Sequence, residues 1–372
     1  MEGRRRILFL IPSLDGGGAE RVIVTLLRHL DRSKFRLMLA VVDTRDPVYR
    51  GDVPEDVEYI ELASLRVRYA LPKIARLIWQ RRPDVVFSTL GHLNLALAVI
   101  RPFLPDGVRY VARETSIVSE GIRGYRRPAL WRWAYRRFYG RFDTVVCQSR
   151  NMRDDLVANF SLPAGKAMVI NNPVDTERIR GLAAEPFATG IEGAGCEDRT
   201  SVIHLVAAGR LKPEKGFDLL IDALALCNDP RFRLTILGDG PLRGELKKLA
   251  LEKGVASQIC FAGFQRNPYP FLAQADAFVL SSRSEGFPNV VLEALACGTP
   301  VISTPARGGV REILEGVEGC ALAESVSAEE LARVIVNWEK AGRKPVVSKT
   351  VRPFLIQNIL PQYQSAFLES MG

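Results

Sequence analysis

The sequence predicts an α/β protein built from two doubly wound, parallel-sheet domains. Short apolar runs of strand length alternate with amphipathic segments of helix length along the whole chain, the pattern of parallel strands joined by crossover helices. At 372 residues the chain is too long for one common core. Near its middle, residues 181–200 (GLAAEPFATGIEGAGCEDRT) are small, polar and aperiodic, as an interdomain connection would be. The domains are therefore drawn at 1–176 and 201–345, joined through 177–200. Residues 346–372 form a C-terminal helical segment expected to pack back on the first domain.

In the first half, residues 7–11 read as a buried strand, 15–18 as a glycine turn and 19–30 as an amphipathic helix. Strands follow at 35–42 and 57–62, a helix at 69–80, a strand at 85–88 and a helix at 92–100. Further strands are expected at 110–112, 144–147 and 168–170, with a helix at 151–159. Residues 171–175 (NNPVD) close this half with turn chemistry. The second half repeats the alternation, with strands at 202–208, 234–237, 259–262, 277–280 and 301–303. Its helix at 328–340 is strongly amphipathic, and 352–371 reads as a terminal helix. No short repeat relates the halves, so they share architecture only.

A composition of 47% hydrophobic and 25% charged residues is that of an ordinary globular α/β protein whose domains can both bury full cores. The six cysteines (147, 196, 227, 260, 297 and 320) are scattered without a C-x-x-C pair, and read as reduced thiols, not as a disulfide or zinc framework. The start, MEGRRR before ILFLIPSL, has a basic head and an apolar run, but the run is too short for a secretory segment and no small-residue cleavage site follows. No stretch of about 18 apolar residues occurs, so no transmembrane helix is expected and a cytoplasmic location is. The net charge of +9 is uneven. Residues 1–180 hold 31 Lys and Arg against 20 Asp and Glu, a balance of +11, and the remainder balances at −2. Such asymmetry points to an anionic partner for the first half.

The stretch 281–300, SSRSEGFPNVVLEALACGTP, holds the strongest site signal. A buried strand at 277–280 leads into a turn, Asn289 is placed to cap a helix, and Gly298 with Pro300 ends it. Glu285 then lies in the loop beyond the strand's C-terminal end and Glu293 one turn inside the helix, at the crevice where open parallel sheets bind ligands. There, carboxylates can accept hydrogen bonds from sugar hydroxyls while helix amides face an anion. An ordinary strand-loop-helix with solvated glutamates would read the same way. The segment 209–217 (GRLKPEKGF) also joins a strand to a helix and carries cations where the helix dipole prefers anions. A polyanion held between Arg210, bidentate, and Lys215, as a point charge, would account for them, and so would a solvated basic loop. The glycines at 16–18 open a helix after a strand and permit phosphate binding, although GGGAER is not a dinucleotide fingerprint and a tight turn alone would satisfy it. His92 follows the strand at 85–88, and Arg113-Glu114-Thr115 the next strand, at the same edge. No Ser-His-Asp set, metal-ligand cluster or Walker motif is present in the sequence. Residues 126–142 (RRPALWRWAYRRFYGRF) interleave arginines with aromatics, which suits an anionic membrane or a helix docked on the core with its arginines snorkelling. Nucleic acid is not expected, because no recognition module appears and the second half is not basic.

Gathered together, these residues resemble glycosyltransferase family 4, the retaining nucleotide-sugar enzymes of the GT-B fold. The resemblance rests on Glu285-x7-Glu293 within SEGFPNVVLEALACGTPVI, on GRLKPEKGFD at 209–218, GGGAER at 16–21, ILGDGPLR at 236–243 and NNPVD at 171–175, which span nearly the whole chain in the family's order. It implies two Rossmann-like domains facing across a cleft. It also implies that Arg210 and Lys215 hold the donor diphosphate, that Glu285 and the backbone around Gly286, Phe287, Pro288 and Asn289 meet the transferred sugar, and that Glu293 meets the ribose. Gly16 and Gly17 would approach the phosphates from the other domain, and the base would sit near Gly238 and Phe264. The implied reaction needs no metal or other cofactor. A hexose or N-acetylhexosamine would pass from a nucleotide sugar, expected to be a UDP-sugar, to a lipid-linked or cell-surface glycan in polysaccharide or lipopolysaccharide biosynthesis. An anionic membrane surface, at the inner face of the plasma membrane, would receive the basic first half. The chain departs from many relatives in having Arg113-Glu114-Thr115 where they carry a histidine, so the acceptor-side polar role lies between Glu114 and His92. A nucleotide-sugar epimerase of the same fold, or a non-enzymatic binder of anionic lipid or nucleic acid, are the alternatives.

Overall fold

The computed structural model describes residues 3–186, 202–341 and 348–369. The chain divides into two compact units, Met1–Pro173 with Ile356–Gly372, and Val174–Leu355.

The first unit is a seven-stranded parallel sheet in the order β3-β2-β1-β4-β5-β6-β7. Its strands are β1 (Arg5–Ile11), β2 (Phe35–Val41), β3 (Glu58–Glu61), β4 (Val85–Thr89), β5 (Arg109–Arg113), β6 (Thr144–Cys147) and β7 (Ala167–Val169). The central strands are buried on both faces, which is why β1, β4 and β5 read as unbroken apolar runs and not as alternating ones. Helices α1 (Gly18–His29), α2 (Val67–Arg81), α3 (Gly91–Ile100), α4 (Val118–Gly121), α5 (Pro128–Phe138) and α6 (Arg150–Phe160) join the strands. Two apolar clusters form, one holding α2, α3 and α6 and the other α1.

In the second unit six parallel strands run in the order β10-β9-β8-β11-β12-β13. They are β8 (Ile203–Ala208), β9 (Phe232–Leu237), β10 (Ile259–Gly263), β11 (Ala277–Leu280), β12 (Val301–Ser303) and β13 (Ala321–Leu322). The helices are α7 (Thr176–Ala183), α8 (Phe217–Cys227), α9 (Arg243–Glu252), α10 (Tyr269–Gln274), α11 (Asn289–Ala296), α12 (Val310–Leu314) and α13 (Ala328–Lys340). The interdomain segment drawn from 177 opens with structure: Asp175 caps α7 by accepting from the Arg178 amide, and Ile179 enters the second unit's core. Residues 187–200 of that expected connection lie outside the described residues.

The last helix, α14 (Ile356–Leu368), belongs to the first unit although the chain has by then passed through the second. Tyr363 and Phe367 are fully buried there, with ring centroids 6.0 and 5.2 Å from Phe87. Burying each ring contributes about 2–3 kcal/mol. The Arg109 guanidinium, also buried, donates to the Ala366 carbonyl and pairs with Glu369 at 2.7 Å.

Candidate active site

The strand order of the second sheet reverses between β8 and β11, and ligands of such sheets bind beyond the strands' C-terminal ends at the reversal. The loops leaving β8, β9, β11 and β12 meet there backbone against backbone. Gly238, at φ +126°, has the Gly209 carbonyl oxygen 2.0 Å from where a Cβ would stand. At Gly216, φ +62°, the Ser281 carbonyl oxygen is 2.1 Å from that position. The Ser281 hydroxyl donates to the Lys215 carbonyl (2.9 Å) and the Arg283 amide to the Glu214 carbonyl (2.9 Å), so the 209–216 and 281–286 loops form one body. Arg283 fastens it further by bonding both carboxylate oxygens of Asp218, at 2.8 and 2.6 Å. Beyond β12, the Glu285 amide donates to the Arg307 carbonyl and the Gly309 amide to the Gly286 carbonyl, at 2.9 and 3.0 Å.

That body holds the charges of the site. Lys215 Nζ bonds both oxygens of Glu285, at 2.7 and 2.9 Å, and the Ser282 hydroxyl bonds Glu285 Oε1 at 2.5 Å. The Glu285 side chain is 9% exposed and that of Lys215 27%. Thus the cation set against the dipole of α8 has a carboxylate beside it. Arg210 is exposed on the same loop, and Arg243 of the GDGPLR segment is held by Asp239 at 2.9 Å.

Asn289 does not cap α11. It is the first helical residue, and Pro288, extended at φ −77° and ψ 96°, stands at the N-cap without a side-chain hydrogen bond. The proline ring fixes φ and ends the loop one residue earlier than a capping asparagine would. Pro288 itself thus offers no side-chain acceptor to the first amides of α11. Phe287 is buried against Phe354 and Gly309, so its backbone and not its ring is what the site can use. Glu293 is buried inside α11, and Phe264 is exposed beyond β10 next to Gly263.

The first sheet reverses between β1 and β4, which brings the 12–17 turn and the start of α3 to one place. Gly16 adopts φ +101°, open to glycine without strain. Over the next residue lies a carboxylate: a Cβ on Gly17 would stand 2.2 Å from Glu20 Oε2. At the end of β4, Leu90 has φ +74°, a strained value for a side-chain-bearing residue, and directs the chain into Gly91 and the exposed His92. Glu114, 1% exposed at the end of β5, accepts from Asn94 Nδ2 at 3.2 Å. Burial pushes its carboxyl up to about 8, against the smaller lowering effect of the Asn94 hydrogen bond. A Cβ at Gly91 would lie 2.3 Å from the Tyr135 hydroxyl and 3.2 Å from Glu114 Oε2, so only glycine leaves these two groups their space.

Arg113 is a correction to the sequence expectation. Its guanidinium is fully buried and donates to Thr89 (3.2 Å), Asn172 (2.6 Å) and Tyr363 (3.3 Å), so it ties β4, the 171–173 turn and α14 together and offers no acceptor a free cation.

Two family descriptions match this chain, Glycosyltransferase Family 4 over residues 16–178 and Glycosyl transferases group 1 over 198–347. The chain belongs to glycosyltransferase family 4. It is 29% identical over 320 residues to the N-acetylgalactosamine-N,N'-diacetylbacillosaminyl-diphospho-undecaprenol 4-alpha-N-acetylgalactosaminyltransferase of Campylobacter jejuni, covering 83% of each chain. It is 42% identical over 131 residues to the lipopolysaccharide core biosynthesis glycosyltransferase LpsE of Rhizobium meliloti, over 35% of this chain and 38% of that one. Among solved structures, Anabaena HepE in complex with UDP and glucose superposes with a TM-score of 0.77 at 20% identity, covering 99% of this chain and all of the other. That likeness identifies two Rossmann-like domains of the GT-B kind.

In this glycosyltransferase the structure joins Lys215 and Glu285, 70 positions apart, directly. Gly238 and Arg210 meet them on the same zipped loops, and Glu293 is on the helix that follows. Several participants escape a reading of the sequence. Ser282, the partner of Glu285, is an unremarked serine in SSRSEG. Gly308 and Gly309 carry a legible signal, a double glycine just past the strand at 301–303, and Gly308 leaves 1.7 Å between its absent Cβ and the Glu285 carbonyl oxygen. Asn94 and Tyr135, which surround Glu114, give no such signal, because each sits in an otherwise ordinary helix.

Proposed function

We propose that this glycosyltransferase moves a hexose or N-acetylhexosamine from a nucleotide sugar, a UDP-sugar, to a lipid-linked or cell-surface glycan in polysaccharide or lipopolysaccharide biosynthesis. The observation that carries the reading is the Lys215–Glu285 pair at the reversal of the second sheet, with Arg210 exposed on the same loop as Lys215. The names of the Campylobacter and Rhizobium relatives support the acceptor class, and the UDP-bound Anabaena structure supports the donor.

The chemistry proceeds with retention and without a metal ion. Arg210, Lys215 and the first amides of α11 stabilise the charge that gathers on the leaving diphosphate. Glu285 orients the sugar hydroxyls. The bond from the anomeric carbon to the diphosphate oxygen breaks while a bond to the acceptor oxygen forms on the same face, and the acceptor's proton passes to the departing diphosphate. His92, exposed at the reversal of the first sheet, takes the acceptor-side contact, with buried Glu114 supporting the segment behind it. The enzyme works at a membrane surface, where lipid-linked acceptors reside.

The test is a panel of UDP- and GDP-sugars with undecaprenyl-diphosphate-linked and soluble glycan acceptors, with the anomeric configuration of the product read by NMR. A glycoside of retained configuration, lost in Arg210→Ala and Glu285→Ala, is the expected result. An isomerised donor without acceptor product would identify an epimerase instead. A protein that neither turns over nor binds any nucleotide sugar would refute the reading.

A further inference from the structure

We infer that the outer face of the α2–α3–α5 layer is a docking surface for an anionic lipid bilayer. The three helices bury their inner sides in one cluster with Ile74, Leu97 and Tyr135. Large apolar groups stand in water on the outer sides of α2 and α5 and in the turn after α3: Trp79 is 47% exposed, Leu130 51% and Trp133 55%, and Phe103 in that turn 77%.

Contacts through the end of α3 link Trp79, Phe103 and Trp133 in series. Trp79 Nε1 donates to the Phe103 carbonyl at 3.0 Å. Arg141 Nη1 bonds the Val99 carbonyl at 3.0 Å, where α3 ends, and its guanidinium stands over the Phe138 ring at 4.7 Å. The Phe138 ring in turn packs edge-on to Trp133 at 5.5 Å. Single exposed apolar side chains are normal on a protein surface, but a linked series of this kind marks an interaction site.

Charge selects the partner. Between 65 and 82 the sequence has Arg66, Arg68, Lys73, Arg76, Arg81 and Arg82 and no acid, and α3 has no Lys, Arg, Asp or Glu. Between 121 and 142 it has seven arginines and again no acid. Glu58, which pairs with Arg81, is the carboxylate of a neighbouring strand that reaches this set. Several guanidiniums lie against rings at the same level, Arg82 over Trp79 at 4.4 Å and Arg137 over Phe138 at 5.6 Å. Rings at the depth of lipid head groups, with cations beside them at the phosphates, is the arrangement of an interfacial helix face. Attraction falls off within a Debye length, so the arginines must sit at the surface itself, as the exposed ones do. The inference deepens the proposed membrane setting of the enzyme, but vesicle binding reads it without sugar transfer, so either can fail alone.

The experiment is co-sedimentation of the full chain with phosphatidylcholine vesicles, with and without phosphatidylglycerol, at low and physiological salt. Binding is expected only with phosphatidylglycerol and is expected to weaken with salt. Trp133→Ser combined with Phe103→Ser should lower the partition constant by about tenfold or more, as should Arg126→Glu combined with Arg137→Glu. Nucleoside-diphosphate affinity and circular dichroism should be unchanged, because these side chains belong to the first unit and the β8–β11 loops to the second. Should a double variant misfold, Arg126→Gln, an exposed change outside any helix, still reports the charge term. Absence of vesicle binding, equal binding to neutral vesicles, or binding that survives all the substitutions would overturn the proposal. So would a reversible dimer broken by Trp133→Ser in a protein that ignores vesicles, which would assign the face to a second copy.

Discussion

Replacing Glu285 by glutamine should move nucleotide binding and sugar transfer in opposite directions. Lys215 is held by both oxygens of Glu285, so a diphosphate that recruits Lys215 meets that carboxylate across the ammonium. Two hydrogen-bond lengths put the two anions about 6 Å apart, and at an effective dielectric between ~20 and ~80 their repulsion is about 0.7–2.8 kcal/mol. Glutamine removes the charge and keeps the shape. Affinity for a nucleoside diphosphate without sugar should therefore rise by about 1–2 kcal/mol, roughly five- to thirtyfold. Lys215→Ala should instead weaken the same ligand by about 1.5–3 kcal/mol. Under the proposed function, transfer from the sugar nucleotide should fall in Glu285→Gln by about a hundredfold or more, because the carboxylate's charge beside the transferred sugar is lost. Isothermal titration with the nucleoside diphosphate, and initial rates with the matching sugar nucleotide, read the two effects. If Glu285→Gln weakens the bare diphosphate as much as Lys215→Ala does, the pair acts as a brace for the loop and the competition described here is wrong.

Other substitutions probe the remaining features. Arg210→Ala should lower donor affinity roughly tenfold to a hundredfold by titration, with little change in thermal stability, since the side chain is exposed. Gly308→Ala combines φ +119° with a 1.7 Å clash against the Glu285 carbonyl, and should destabilise the second unit by about 2–3 kcal/mol in calorimetry while abolishing donor binding. Gly244→Ala, in α9 with open space around it, is the control and should be neutral or stabilising by about 0.5–1 kcal/mol. The folded state holds the Glu114 carboxyl at about 8, above its unfolded value of 4.5, so folding takes up a proton. The neutral acid's stability is fully present below the unfolded value and is lost as pH rises through the folded one, by on the order of 5 kcal/mol in total. Glu114→Gln, which stays neutral, should flatten the fall in melting temperature of the first unit between weakly acidic and alkaline pH; parallel curves for the two proteins would contradict the buried neutral acid.

Much of the architecture is readable before folding because it is written at short range. The strands at 7–11, 85–88 and 277–280 announce themselves as buried apolar runs, and α13 as an amphipathic period, since each signal needs only near neighbours in sequence. The glutamates at 285 and 293, the cations at 210 and 215, and the glycines at 16–18 could likewise be placed at strand-to-helix turns. What short range cannot give is which turn touches which. That Lys215 meets Glu285, that Gly238 exists to admit the Gly209 carbonyl and that Gly308 admits that of Glu285 are contacts across loops of different strands.

The same limit explains where residue type misleads. Arg113 looks like a cation at an active edge, yet the return of Tyr363 and its neighbourhood with Thr89 and Asn172 turn it into an interior tie. Asn289 has the chemistry of a cap, yet the backbone set by Pro288 starts the helix on it. By itself the sequence determined the two α/β domains, the order of their elements and the residues able to meet an anion and a sugar, because periodicity and turn chemistry are local. Only the tertiary structure decided that Lys215 and Glu285 are bonded to one another, that the Glu114 carboxyl is buried and pushed up to about 8, and that α2, α3 and α5 pack their inner sides into one cluster. Those outcomes depend on burial and on distances between residues far apart in the chain.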